Sequence, residues 1–275
     1  MCILFVYRNP DADSGSYRLI LASNRDEYFK RPTLPAHYWE NHPDCLGGID
    51  MEPSKEGGTW LALSIKGKAG VVLNLTNEHG LSHIQKKGRG PLVPDFVTSN
   101  DSATSYLDKL HNENLNGQPY NPFMLVLINL HNADVNYLSS SANSKGPSST
   151  QNAILGFSNS GLGVPYKKVE AGKEIFTSTV TNAKVSKQTD LIEEILKFLK
   201  LKERHLPDPE LQRRCPMTYN EHSSICITGD EYCTRTHSIL LVNGNNEMTF
   251  IEETLMPDLT WKRQIFSRNL IPETQ

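Results

Sequence analysis

Two apolar runs, GGTWLALS and AGVVLNLTN, surround Lys66-Gly67-Lys68 and predict a β-hairpin with a short glycine-containing turn. The chain begins with a similar pattern, because residues 2–8 and 17–23 are apolar runs separated by a cluster of Pro, Asp, Gly and Ser. Short apolar runs with turn residues between them are typical of antiparallel strands. The first part of the chain is therefore expected to be built on hairpins.

The rest of the chain mixes helical and strand patterns. Helices are expected near residues 91–99, from an N-cap at Asp101 to His111, and from about Gln188 to Leu201. Strands are expected at 123–130, 134–139, 223–228, 235–242 and 247–252, with loops at 24–53 and 140–150. This order lacks regular strand–helix alternation. It predicts an α+β protein with helices on the outer faces of antiparallel sheets, in one domain spanning residues 1–275.

Composition excludes several classes of function. The 28 basic and 31 acidic residues nearly cancel and form no block of like charge, which argues against a nucleic-acid partner. The longest apolar stretch, residues 123–130, is too short to span a bilayer, so no transmembrane segment is expected. The N-terminus resembles neither a secretory signal nor a mitochondrial presequence. Five irregularly spaced cysteines without a CxxC argue against disulfides or structural zinc and favour a reduced, intracellular setting.

Cys2 is the first candidate for chemistry. A small residue at position two favours removal of Met1, which would leave an α-amine on the residue that carries the thiol. Such an amine titrates near 8 and can act as the base for its own side chain. The alternative is that Cys2 is simply a small hydrophobic residue.

Polar clusters at the ends of predicted strands are the second candidate. Asn24-Arg25-Asp26-Glu27 follows the second strand, where an arginine would favour a thiolate and an aspartate could orient an amine. Similar clusters follow at Thr76-Asn77, Gly88-Arg89-Gly90, Ser158-Asn159-Ser160 and Thr234-Arg235-Thr236. Amide groups can stabilise an oxyanion, and arginines can hold a carboxylate or phosphate. Each cluster alone is equally typical of a solvated turn.

Two weaker patterns do not predict a site by themselves. His79 and His83 have the spacing of a helical metal pair, but Gly80 lies between them and no third ligand is evident, so no metal is expected. Cys215-Pro216 is a dipeptide seen where a thiolate holds haem, and it also occurs by chance.

These segments together resemble the NRDE family. The resemblance rests on CILF at the start, LILASNRDE, Arg31-Pro32, KEGGTWLALS, GRG, FSNS and TRTHSILLV, in this order over nearly the whole chain. It implies a four-layer αββα sandwich of the N-terminal-nucleophile hydrolase type. By similarity to the acylases of that class, Cys2 would be the nucleophile and Asp26 the partner of its amine. Asn77 and Asn159 would be oxyanion donors, and Arg235 would support the thiolate.

One departure from the acylase pattern bears on the reaction. Those enzymes place an arginine three residues before the aspartate, whereas here Ser23 takes that position and Arg25 adjoins Asp26. The resemblance to the eukaryotic branch of the family implies a role in lipid and haem homeostasis. Such a protein would bind and transfer haem or acyl-coenzyme A, in the cytoplasm and mitochondrion and with a link to Golgi organisation.

Two functional hypotheses follow. In the first, a pocket formed by Asn24, Arg25, Asp26, Glu27 and Arg89 binds haem or acyl-coenzyme A without turnover and hands haem to accepting proteins, with no cofactor required. In the second, the chain is a cysteine hydrolase acting on an amide or thioester, which requires removal of Met1.

Overall fold

The computed structural model describes residues 1–75, 86–141, 144–161 and 163–273. The strands are β1 (Ile3–Arg8), β2 (Tyr17–Tyr28), β3 (Thr33–Trp39), β4 (His42–Asp50), β5 (Leu61–Ser64), β6 (Lys68–Asn74), β7 (Phe123–Asn129), β8 (Asp134–Ser139), β9 (Ser148–Thr150), β10 (Ile154–Ser158), β11 (Tyr232–Asn243), β12 (Glu247–Leu255) and β13 (Trp261–Asn269). The α-helices are α1 (Leu92–Thr98), α2 (Ala103–Leu115), α3 (Lys167–Val180), α4 (Gln188–Leu199), α5 (Pro209–Arg214) and α6 (Tyr219–His222). No helix within the described ranges has both the length and the apolar character needed to cross a bilayer.

The chain divides into two compact units. The first unit joins residues 1–30 to 152–270 and contains an antiparallel sheet in the order β10-β1-β2-β11-β12-β13. Helices α3 and α4 pack against this sheet, where Phe5 of β1 contacts Phe176 of α3 and Phe198 of α4. Nearly all residues of β1 and β2 are buried, including those that point to opposite faces of the sheet. Burial on both faces fits the long apolar runs in their sequences.

The second unit contains residues 31–151 and 271–275. Its antiparallel sheet has the order β3-β4-β5-β6-β7-β8-β9, and α1 and α2 pack on it over a buried apolar cluster. The hairpin of β5 and β6 turns at residues 65–67, where Gly67 has a φ of 94°, a conformation that favours glycine. The expected hairpins and the α+β class are confirmed. Each unit thus contains one antiparallel sheet with helices packed against it.

The expected loop over residues 24–53 is wrong. The second strand continues to Tyr28, and β3 and β4 follow it. Residues that usually form turns make these strands hard to recognise in the sequence. Pro35 lies in a register shift of the β3–β4 ladder. Gly48 packs so closely against the Trp60 ring that a Cβ at this position would lie 2.5 Å from it. Both residues fit a strand because of tertiary packing, which local propensity does not report.

The expected strand at 223–228 is also wrong. Ile225 and Ile227 are buried as the pattern indicated, but they form no regular ladder. The Ile225 carbonyl accepts from the Asn24 side chain and the Ile227 amide donates to the Thr234 hydroxyl, while the Ile227 carbonyl accepts from the Thr234 amide. The N-cap of α2 is Ser102 rather than Asp101, because the Ser102 hydroxyl accepts from the amide of Ser105. Strands β10 and β13, the short β9 and helix α3 were not predicted.

Candidate functional site

Strand β1 lies between β10 and β2, and this position determines the neighbours of Cys2. The first residue of β1 pairs with the last residue of β10 and with Asn24 of β2. Continuing both antiparallel ladders by one residue places Asn159 on one side of Cys2 and Arg25 on the other. Strand β11 in turn pairs Thr234 with Asp26, so three of the polar clusters selected from the sequence meet at one end of this sheet.

Asp26 is the buried anion of the site, and its side chain has partners on both oxygens. Its Oδ2 lies 3.4 Å from the N-terminal ammonium of Met1, and its Oδ1 accepts from the Thr234 hydroxyl at 2.5 Å. The hydroxyl of Thr234 accepts in turn from the Ile227 amide at 2.8 Å. A buried carboxylate needs such partners to offset its lost hydration. Asp26 therefore lies beside the amine of Met1, whereas its predicted role concerns the amine that Cys2 would carry after removal of Met1.

Cys2 is half-buried and lies against the backbone of Asp26. The Asp26 amide donates to Cys2 Sγ at 3.4 Å, and the Asp26 carbonyl oxygen lies 3.7 Å from the same sulfur. Burial raises the pKa of the Cys2 thiol above its usual value, while the N-terminal ammonium acts in the opposite direction. With Met1 in place, the thiol therefore rests in its neutral form.

Tyr232 and Lys168 complete the surroundings of the N-terminus, and the sequence pattern pointed to neither. The Tyr232 hydroxyl donates to the Asp26 carbonyl at 3.0 Å and contacts the Met1 ammonium; burial raises its pKa well above 10. Lys168, only 1% exposed, donates to the carbonyl oxygens of Met1 at 3.4 Å and Ser224 at 3.1 Å. Burial lowers the pKa of Lys168, and Asp26 acts against that shift. Recognising Lys168 would have required predicting α3 first.

Arg25 and Arg235 form a pair of buried guanidinium groups on neighbouring strands. Arg235 is the extra residue of a β-bulge in the β2–β11 ladder and stacks 5.6 Å from the Phe29 ring centroid. Arg25 lies 3.7 Å from the Glu27 carboxylate. Burial, and then the charge of Arg25, lowers the pKa of Arg235. The two like charges therefore repel each other, and the Glu27 carboxylate acts in the opposite direction on Arg235.

Asn24 is fully buried and is bonded to the protein itself. Its amide nitrogen donates to the carbonyls of Leu199 at 2.8 Å and Ile225 at 2.9 Å, and its Oδ1 lies 2.7 Å from Nδ1 of His237. Leu199 is the last residue of α4, so Asn24 satisfies a carbonyl at the end of that helix. Burial lowers the pKa of His237 to about 3, which keeps its ring neutral. In this structure Asn24 holds the scaffold together.

The remaining predicted residues are distributed as follows. Asn159 is buried, and its backbone carbonyl accepts from the Tyr166 hydroxyl at 3.5 Å. Arg89 belongs to the second unit, where its Nη1 donates to the Pro122 carbonyl at 3.1 Å. Asn77 lies outside the described residues, and so does the histidine pair at 79 and 83. Across the described residues, no group of three or more His, Cys, Asp or Glu side chains could hold a metal ion.

The first unit is thus an antiparallel α+β fold with a cysteine at the start of its central strand. That cysteine is flanked by a buried carboxylate, which binds the N-terminal amine, and by Arg25 on the neighbouring strand.

Comparison with known proteins places the chain in a family. A family model described as Transport and Golgi organisation 2 matches residues 1–257. The human Transport and Golgi organization protein 2 homolog is 34% identical over 280 residues, covering 98% of this chain and 99% of its own length. Transport and Golgi organization protein 2 of Drosophila melanogaster is 37% identical over 265 residues, covering 93% and 92%. The chain belongs to the Transport and Golgi organisation 2 family, which confirms the resemblance seen in its motifs.

Among solved structures, a mutant conjugated bile acid hydrolase from Clostridium perfringens is similar to the chain. It aligns with a TM-score of 0.45 at 10% identity, over 98% of this chain and 92% of the hydrolase.

Proposed function

We propose that the protein binds and transfers an anionic amphiphile, haem or a long-chain acyl-coenzyme A, at the end of the first sheet that carries Cys2. The observation that supports this is the buried pair Arg25 and Arg235, whose mutual repulsion an acidic headgroup would relieve. Guanidinium groups suit both carboxylates, as on haem, and phosphates, as on coenzyme A. The apolar part of the ligand would pack on the apolar residues of the same unit. Transfer in the cytoplasm and at mitochondrial or Golgi membranes belongs to the same proposal.

Titration of the purified protein with haem and with palmitoyl-coenzyme A tests this function. Arg25→Met and Arg235→Met should each weaken binding of the true ligand about tenfold or more, the scale of one charge-assisted hydrogen bond. Arg268→Met is the matched control, because Arg268 lies exposed on β13 of the same sheet. Absence of saturable binding of either ligand to the wild-type chain would contradict the proposal.

A second candidate, a cysteine hydrolase acting on an amide or thioester, is favoured by a different observation. Cys2 lies beside a carboxylate that already binds an N-terminal ammonium at 3.4 Å. If Met1 is removed, the α-amine of Cys2 could accept the thiol proton as sulfur attacks the carbonyl carbon, and then donate it to the departing amine or thiol as the C–N or C–S bond breaks. Water would then hydrolyse the acyl thioester on Cys2, which releases the carboxylic acid and restores the thiol. Intact mass decides whether Met1 is present. In a chain that begins at Cys2, hydrolysis that persists in Cys2→Ala would eliminate this candidate.

A further inference from the structure

Met1 is held in the way that a small acyl ligand would be bound, with a buried apolar chain and a hydrogen-bonded carbonyl oxygen. Its side chain is 4% exposed and belongs to an apolar cluster that also contains Tyr166, Val169 and Ile225. Its carbonyl oxygen accepts from Lys168, a side chain that is itself 1% exposed. An apolar chain and a hydrogen-bonded carbonyl are the two parts that an acyl group presents.

Lys168 is costly to bury, and its hydrogen bonds together with the nearby charge of Asp26 offset only part of that cost, because the pKa of Lys168 stays below its usual value. Both of its hydrogen-bond acceptors are neutral backbone carbonyls, at Met1 and Ser224, rather than a carboxylate. Burying a lysine amine among neutral partners disfavours its charged form. Lysines are rare in such positions unless they have a specific partner. The acceptor at Met1 belongs to a residue that processing would remove, so the donor would then be available to another carbonyl.

We propose that the space occupied by Met1 is an acyl-chain subsite, in which Lys168 Nζ donates a hydrogen bond to the carbonyl oxygen of the bound acyl group. The chain that begins at Cys2 presents this subsite, and the chain that begins at Met1 fills it. This inference rests on the proposed binding function and specifies the ligand as an acyl compound, a fatty acid or its coenzyme A thioester. Lys168 acts here on the ligand carbonyl, whereas the arginine pair acts on the acidic headgroup.

The test compares two full-length chains made by cleaving an N-terminal fusion, one beginning at Cys2 and one at Met1, each verified by intact mass. Palmitoyl-coenzyme A and palmitate are titrated separately, which distinguishes a thioester from a free acid. The chain beginning at Cys2 should bind about tenfold more tightly, and Lys168→Met should abolish that gain, as expected for one buried hydrogen bond. Lys168→Arg should restore part of it, and Lys173→Met, on the exposed face of α3, should leave it unchanged.

Infrared spectroscopy distinguishes a direct contact between Lys168 and the ligand from a purely structural role of Lys168. The infrared stretch of a ¹³C-labelled acyl carbonyl should move to lower frequency on binding to the wild-type chain and to Lys168→Arg, but not to folded Lys168→Met. Equal affinity of the Cys2 and Met1 chains, or an unchanged stretch in all variants, would overturn the acyl subsite while leaving the binding function intact. Failure of every wild-type chain to bind either acyl probe or haem would overturn both.

Discussion

At the scale of single residues, Asp26 connects three parts of the first unit. Its carboxylate meets the N-terminus and Thr234 of β11, and its backbone contacts the sulfur of Cys2. The sequence indicated Asp26, because an acidic residue stood in a polar cluster beside a strand. It did not indicate Tyr232, since one tyrosine at a strand start has no pattern that distinguishes it. Side-chain partners of this kind depend on strand order, which no local pattern contains.

The bond between Thr234 and Asp26 makes a prediction about stability. Thr234→Val removes the hydroxyl that donates to the carboxylate and accepts from the Ile227 amide. Leaving such buried groups unsatisfied should lower the free energy of unfolding by about 1–3 kcal/mol, measured by urea denaturation. Thr181→Val, at the exposed end of α3, should change it by no more than about 0.5 kcal/mol. Equal effects of the two substitutions would contradict the assigned contacts.

His237 makes a prediction about pH. Its pKa is about 3 in the folded chain and near 6.5 when unfolded, so below pH 6.5 the unfolded state binds a proton that the folded state excludes. The free energy of unfolding should therefore fall with decreasing pH, by up to about 1.4 kcal/mol per pH unit from this residue between those pKa values. Lys200 and Glu253 face the same ring and contribute opposite smaller effects.

Urea denaturation of the wild-type chain and of His237→Gln between pH 7 and pH 4 measures this contribution. The variant retains a donor for Asn24 but cannot titrate, so its stability should depend less steeply on pH. Identical slopes for both proteins would show that His237 is not the buried neutral group described here.

At the scale of elements, strands and helices with regular apolar spacing were predictable, and those that depend on partners were not. Helix α4 was predicted from its stripe of Leu191, Ile195, Phe198 and Leu199, all of which are buried. Helix α3 carries a buried lysine and a buried glycine, so its apolar face is interrupted in the sequence. Strand β13 is mostly exposed and forms the edge of its sheet, and it therefore lacks an alternating pattern.

The end of α4 depends on Asn24, which gives a prediction at this scale. Asn24→Ala leaves the Leu199 and Ile225 carbonyls without their shared donor, so it should lower the free energy of unfolding by at least about 2 kcal/mol. Hydrogen exchange should quicken in the last turn of α4. The control is Asn245→Ala, at an exposed turn position between β11 and β12, which should affect neither quantity. Normal stability combined with lost ligand binding would instead assign Asn24 to the ligand.

At the scale of the whole molecule, the α+β class followed from the sequence because the order of strand and helix patterns excluded regular alternation. The division into two units was not foreseen, since the first unit is assembled from both ends of the chain. That assembly brings residues 1–30 beside 152–270 and creates the site around Cys2. The individual polar clusters could be recognised in the sequence, but their proximity in the fold depends on β1 lying between β10 and β2.

The order of folding and processing follows from the burial of the N-terminus. Met1 is 4% exposed and its amine lies against Asp26 and Tyr232, so an aminopeptidase cannot reach it in the folded chain. Folded protein that retains Met1 should resist a methionine aminopeptidase that rapidly trims a peptide of residues 1–10, with intact mass as the readout. Equal rates for protein and peptide would show that the N-terminus opens freely.

The structure of the chain beginning at Cys2 in complex with haem or palmitoyl-coenzyme A is the most direct measurement of the proposed binding site. A carboxylate or phosphate of the ligand should lie within hydrogen-bond distance of Arg25 or Arg235, with the ligand adjoining Cys2. A ligand bound elsewhere, with these arginines contacting only protein groups, would show that the end of the first sheet is not the binding site.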